Sequence, residues 1–162
     1  MKFICDDNLG KLAAYLRMLG FDTWFEDTID DNILLKTASA QKRLLITRDS
    51  KLAGRTHPYG VLLIKDDDPL EQLKKVIAGL SLTIDSALLF NRCSKCNRIC
   101  RTVDKDRISD KVFPYILKTQ DIIKECPSCK RYYWQGSHYK NILIKLKSTI
   151  PADALAGNWP EI

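Results

Sequence analysis

Two hydrophobic periods alternate through the first half of the chain, and this alternation limits the fold more than any other feature. KFIC at 2–5 is a short apolar run; Leu9, Leu12, Ala13, Leu16 and Leu19 then recur at three- and four-residue steps, one stripe of a helix that ends at Gly20. DTWF at 22–25 reads as a second strand, Ile33, Leu34 and Ala38 as a helix beginning near Asp31, RLLIT at 43–47 as a third strand and VLLI at 61–64 as a fourth. The last helix has the clearest start: Asp68 as cap, Pro69 at its first position and Glu71 completing a capping box before Leu73, Val76, Ile77 and Leu80. Strands joined through helices run parallel with right-handed crossovers, so residues 1–85 are expected to form a three-layer α/β/α domain around a parallel sheet.

Loops that leave the carboxyl ends of parallel strands share one edge of the sheet, where ligands bind. Acids follow all four strands: Asp6 and Asp7, Asp30 and Asp31, Asp49, and Asp66 and Asp67. Like charges gathered on one edge repel unless a cation neutralises them, which points to Mg²⁺ or Mn²⁺, hard ions that take carboxylate oxygens and keep several waters. The plainer reading is that some of these acids only cap helices. It is the better reading for Asp68, stands even with the metal reading for Asp31, and is open for Asp7; Asp30, Asp66 and Asp67 also read as solvated loop charges. Asp6 and Asp49 resist it best, because each directly follows an apolar strand where a turn former would be expected. LLITRDSKL at 44–52 shows the point: the strand runs into Thr47, Arg48 and Asp49.

The second half opens with RCSKCNRIC at 92–100 and returns with ECPSCKRYYWQG at 125–136. Cys93 with Cys96 and Cys126 with Cys129 are two C-x-x-C pairs, the pattern of one tetrahedral zinc site with four thiolates and no open position for water, hence a structural ion. The pairs stand 29 residues apart, more than the usual spacing of roughly 15 to 20, so an insert is expected between them, with an apolar stretch from Val112 to Leu117. Cys100 and Cys5 read as small buried hydrophobes. Residues 86–150 are thus expected to be a zinc ribbon with a closing helix at Ile142, Leu143 and Leu146, followed by an irregular tail over 151–162.

Charge divides along the same line. Residues 1–85 carry 12 Lys and Arg against 13 Asp and Glu, and residues 86–162 carry 14 against 7. A basic half attracts polyanions. Lys130, Arg131, Tyr133, Trp134 and His138 are the candidate nucleic-acid contacts, cations for phosphates and rings for bases. Against this, at least one aromatic of the Tyr132–Trp134 run is expected to pack on the ribbon core, and a packed imidazole is the favoured reading of His138.

A composition of 45% hydrophobic and 28% charged residues describes a globular chain. Its apolar runs fall well short of the roughly 18 residues of a membrane span, and MKFICDDN lacks the pattern of a signal peptide, so no membrane partner and a cytoplasmic location are expected.

FICDDNLGKLAAYLRMLGFDT, the later D-x-x-L-L at 31–35, LLITRDSKL, C-x-x-C-N, C-x-x-C and YWQGSHY together resemble the mut-seven C-terminal RNase family, which joins a PIN-like nuclease domain to a zinc ribbon. The resemblance runs through most of the chain in order. It implies a PIN-like core and a metal-dependent ribonuclease whose acidic motif falls on Asp6, Asp31 and Asp49. It also favours Asp31 over Asp30, and places an aliphatic residue at the position of Cys100. Lys130 departs from the family, standing where the second knuckle often has Gly.

The expected chemistry is hydrolysis of RNA phosphodiesters, with single-stranded RNA as the partner. Asp6 and Asp49 would ligate Mg²⁺ or Mn²⁺, Asp31 and Asp67 or Asp7 would complete the shell, and Lys11 would meet phosphate. Arg48 reads equally as a phosphate contact or as a brace for Asp31 or Asp49. No small-molecule cofactor is expected. One alternative is a catalytically inactive RNA- or ribosome-binding module. A receiver-like phosphoacceptor domain is a poorer one, since no fifth strand with a phosphate-contacting Lys is evident before the ribbon.

Overall fold

Neighbouring side chains in the strands point to opposite faces, and each face has its own core. In the computed structural model, which describes residues 1–160, β1 (Lys2–Cys5), β2 (Asp22–Phe25), β3 (Leu44–Thr47) and β4 (Val61–Leu63) form one parallel sheet in the order β2-β1-β3-β4. Phe3, Cys5 and Ile46 face one layer, packing with Leu12 and Leu16 of α1 (Gly10–Met18) and with Leu73 and Ile77 of α4 (Pro69–Gly79). Ile4 and Leu45 face the other, with Leu34 and Ala38 of α2 (Asp31–Ala40) and Leu52 of α3 (Ser50–Ala53). The expected α/β/α layering is therefore present. The short α3, one turn after Asp49, had no periodic signal.

The strand order explains why α1 and α2 lie on opposite faces. From β1 the chain steps to β2 on one side, then crosses back past β1 to β3; with right-handed crossovers, a reversed direction means the opposite face. The reversal leaves a crevice at the carboxyl ends of β1 and β3. α1 stops where its period predicts: Gly20 has φ +94°, and a Cβ there would meet Leu88 Cβ at 2.6 Å.

The carboxyl-terminal elements depart from the expected division at residues 85 and 150. The closing helix, α6 (Ser137–Thr149), buries Leu143 and Leu146 in the core that holds α1 and α4, not in the ribbon. The tail is not irregular throughout: β9 (Leu155–Ala156) pairs in parallel with β5 (Ile84–Asp85), while its last two positions, 161 and 162, lie outside the described residues. The physical reason is area. The ribbon's interior is chiefly sulfur, whereas α4 offers a broad apolar stripe that needs a cover.

In the ribbon, β6 (Arg101–Thr102), β7 (Lys124–Glu125) and β8 (Tyr132–Tyr133) pair antiparallel. The insert between β6 and β7 carries α5 (Pro114–Thr119) and a small core of Ile108, Val112 and Ile123. Its apolar stretch is only partly buried, since Phe113 and Tyr115 are 81% and 71% exposed. The two knuckles are built alike. Asn97 N–H donates to Cys93 O and Lys130 N–H to Cys126 O, both at 3.0 Å, and both residues are left-handed, with φ +63° and +60°.

Arg17 docks the first knuckle on the α/β half. Its side chain is 4% exposed; Nε donates to Thr23 O at 2.8 Å, and Nη1 to Ser94 O and Lys95 O, each at 2.9 Å. Asn97 adds a bridge to the edge strand, accepting from Thr23 N–H at 3.1 Å and donating to Asp22 Oδ1 at 2.7 Å. Burial alone would raise the Asp22 carboxyl, but hydrogen bonds from Arg43 and Asn97 outweigh it and hold the pKa below its usual value.

Among the described residues, no helix is long and apolar enough to cross a membrane.

Two stability outcomes follow from the docking and the knuckle turns. Arg17→Met leaves its own burial site without donors for carbonyls of both halves and is expected to cost about 2–4 kcal/mol in urea unfolding; a loss below about 0.5 kcal/mol, the size of an ordinary surface substitution, would show the docking to be dispensable. Lys130→Gly relieves a left-handed side-chain residue and is expected to stabilise by about 1 kcal/mol, read as a raised midpoint in the same assay.

Candidate functional site

Asp6 follows β1 directly and is 7% exposed. Its Oδ1 accepts from Asp7 N–H at 2.8 Å, capping the short turn Asp7–Leu9, and its Oδ2 accepts from the Thr47 hydroxyl at 2.7 Å. Thr47 Oγ1 in turn accepts from Asp49 N–H at 2.9 Å. One hydroxyl thus ties the ends of β1 and β3 together. Asp49 also caps: its Oδ1 accepts from the Lys51 and Leu52 amides at 2.6 and 3.4 Å. Both acids that resisted the capping reading therefore do cap, each through Oδ1 only.

At Asp30 and Asp31 the roles separate. Asp30 caps α2, accepting from Asn32 N–H and Ile33 N–H. Asp31 is left out of the cap; its nearest cation is Arg55, with Nη2 4.0 Å from Oδ2. Asp68 caps α4, as its spacing predicts.

Asp6, Asp31 and Asp49 line one cleft of about 640 Å³ at the crevice between β1 and β3, together with Asp7, Arg48 and Lys65. Two other expected residues stand beside it: Lys11 and Asp67 line a neighbouring cleft. Arg48 braces neither Asp31 nor Asp49 but pairs with Asp67, and its buried Nε has no partner. Thr47 was missed as a site residue, being read as the end of the third strand. The signal was strand parity: Thr47 points to the same face as Leu45, the face toward which Asp6, two residues after Ile4, also points.

The carboxylates of this cleft are donors of the kind a hard cation takes, but no three of them bring their oxygens within 4.8 Å of one another. Asp31 and Asp49 keep oxygens free of hydrogen bonds, and the acids line an open cleft that admits an ion with part of its water shell.

The second centre is tighter. Among the described residues, Cys93, Cys96, Cys126 and Cys129 form the one group of potential ligands whose donor atoms all lie within 4.8 Å of one another. Cys93 Sγ and Cys129 Sγ are 3.6 Å apart. That is too far for a disulfide and close to the edge of a tetrahedron with bonds of about 2.3 Å. All six cysteines are free thiols. Burial pushes the Cys93 thiol up, but the Tyr133 hydroxyl at 3.0 Å and the Cys96 and Lys95 amides outweigh it and bring the pKa down to about 7. Burial keeps Cys126 and Cys129 raised. Four sulfurs in this space could hold a metal such as zinc. Cys100 lies against the group without joining it, and burial pushes its thiol up to about 12; Cys5 is fully buried in the α/β core, likewise raised to about 12.

The aromatic run packs more than expected. Tyr133 packs on the cysteines, and Tyr132 and Trp134 lie against the insert's core. Lys130 and Arg131 are exposed, Lys130 standing 3.6 Å from Glu125. His138, expected to be packed, is exposed at the start of α6. In the first turn of α6 it is the neighbouring Tyr139 that packs against the core.

A family model described as the Mut7-C RNAse domain matches residues 1–146. No curated protein and no solved structure matches the chain. The matched span contains the acid cleft and both cysteine knuckles, in agreement with the motifs read from the sequence, and the chain belongs to the Mut7-C RNAse domain family.

Proposed function

We propose that the protein is a metal-dependent ribonuclease that hydrolyses single-stranded RNA at the cleft of Asp6, Asp31 and Asp49. The observation that carries this reading is the convergence of these acids, distant in sequence, on the crevice between β1 and β3. A bound Mg²⁺ or Mn²⁺ would supply an acidified water and neutralise charge on the leaving oxygen.

The chain's own residues do the rest. Thr47 holds Asp6 in one rotamer by donating to Oδ2. The amides of Lys51 and Leu52 hold Asp49 through Oδ1, leaving Oδ2 free of hydrogen bonds. Asp31, free of the cap, completes the set. Arg48 lines the cleft with its guanidinium paired to Asp67, and brings a positive charge to the phosphate side. The Thr47 hydroxyl ties the Asp6 carboxylate to the Asp49 backbone amide and so sets the two residues relative to each other. The cysteine quartet holds a structural Zn²⁺, and the ribbon's excess positive charge supports RNA binding.

Cleavage of labelled single-stranded RNA in Mn²⁺ is expected to fall about a hundredfold or more in Asp6→Asn and in Asp49→Asn, with RNA binding retained. Thr47→Val is expected to lose about ten- to a hundredfold while the fold persists by circular dichroism. Full activity in both Asn variants would remove the acids from the chemistry. Metal analysis should find about one zinc per chain, and a strong chelator should lower the melting temperature, because the ion's binding energy is also folding energy; a chain that purifies without zinc and melts unchanged would sink the four-thiolate site.

A further inference from the structure

A second cleft, of about 730 Å³, adjoins the acid cleft, and the two share Asp7 and Asn8 in their walls. Its near side belongs to the α/β half, with Gly10, Lys11 and Phe25. Its far side is the first cysteine knuckle, through Ser94 and Lys95. Arg17, with donors on Ser94 O and Lys95 O, fixes that far side. A wall built across two halves and pinned by a buried guanidinium is a defined surface.

We propose that this cleft continues the substrate groove, so that an RNA strand passing the acids runs on between α1 and the first knuckle. Lys11 and Lys95 hold its phosphates. This rests on the ribonuclease reading of the acid cleft and adds to it where the neighbouring nucleotides lie.

Three features fit a nucleic-acid strand. Lys11 and Lys95 are both exposed, and neither belongs to an ion pair among the described residues, so their charges are available to phosphate. The Phe25 ring, partly buried against the core, lines the cleft and offers its remaining surface for stacking. It lies so close to the start of α1 that a Cβ at Gly10 would meet its Cζ at 2.9 Å. Four carboxylates, of Asp7, Glu26, Asp27 and Asp67, also line the cleft. Carboxylates repel phosphates but accept from the amino groups of bases, so a groove of both signs suits a strand with phosphates on one side and base edges on the other. The ribbon then shapes the substrate path through its knuckle backbone.

The test is equilibrium binding of a labelled single-stranded RNA of about twelve nucleotides to the Asp6→Asn chain over a series of salt concentrations, so that cleavage cannot intervene. Lys95→Ala and Lys11→Ala are each expected to weaken binding several-fold and to flatten the slope of log K against log salt by about 0.7, one phosphate contact apiece. Arg98→Ala, which removes an exposed cation of the same knuckle outside the cleft, is expected to leave both unchanged. An unchanged slope in Lys95→Ala, or an equal effect of Arg98→Ala, would overturn the proposal. Should Lys95→Ala lose zinc, Lys11→Ala, on the other half, decides the matter alone. Flattened slopes alongside no cleavage by the wild-type chain would end the ribonuclease reading and leave this groove standing.

Discussion

The handedness of the crossovers sets the site. Once the chain has gone from β1 to β2 and back across to β3, right-handed connections force α1 and α2 to opposite faces and open a crevice at the carboxyl ends of β1 and β3. Asp6 and Asp49 are the residues that emerge there. What holds them to each other is the Thr47 hydroxyl, donor to Asp6 and acceptor from Asp49 N–H. It adds to the backbone bond from Asp6 N–H to Ile46 O, and it fixes a buried carboxylate where an unsatisfied one would be costly.

The periodic parts of this architecture were legible. Four strands and the helices α1, α2 and α4 follow from residue spacing because each buries one stripe or two alternating faces. The cysteine quartet was legible because two short turns bring four sulfurs to one point. The placement of α6 was not, since an amphipathic helix records that it needs a cover but not which surface supplies it. β5 and β9 are two residues long and carry no period at all. The aromatics at 132–134 misled for a related reason: rings among cations look alike whether they await a base or cover an insert's core, and here Tyr132 and Trp134 cover it.

The docking of the two halves was illegible for a different reason. Arg17 reaches backbone carbonyls of Ser94 and Lys95, and every residue has a carbonyl, so no partner side chain marks the contact. The cost of burying a guanidinium is offset only when its donors are met, and its acceptors here come from both halves. The same contact places Lys95 over α1.

At the acids, capping and ligation had looked like competing explanations, and the geometry shows why spacing could not choose between them. A carboxylate has two oxygens. Asp49 spends Oδ1 on the amides that begin α3; Asp6 spends Oδ1 on the Asp7 amide and Oδ2 on Thr47. Each oxygen has a second lone pair, so neither commitment exhausts the group as an acceptor. Capping locks the side chain against rotation, which lowers the entropy lost when a ligand arrives. An acid at the start of a helix is therefore already held in place for a second task, and Asp31, relieved of the cap by Asp30, shows the other solution: the neighbour takes the structural role and leaves both oxygens free of hydrogen bonds, with Arg55 4.0 Å from Oδ2.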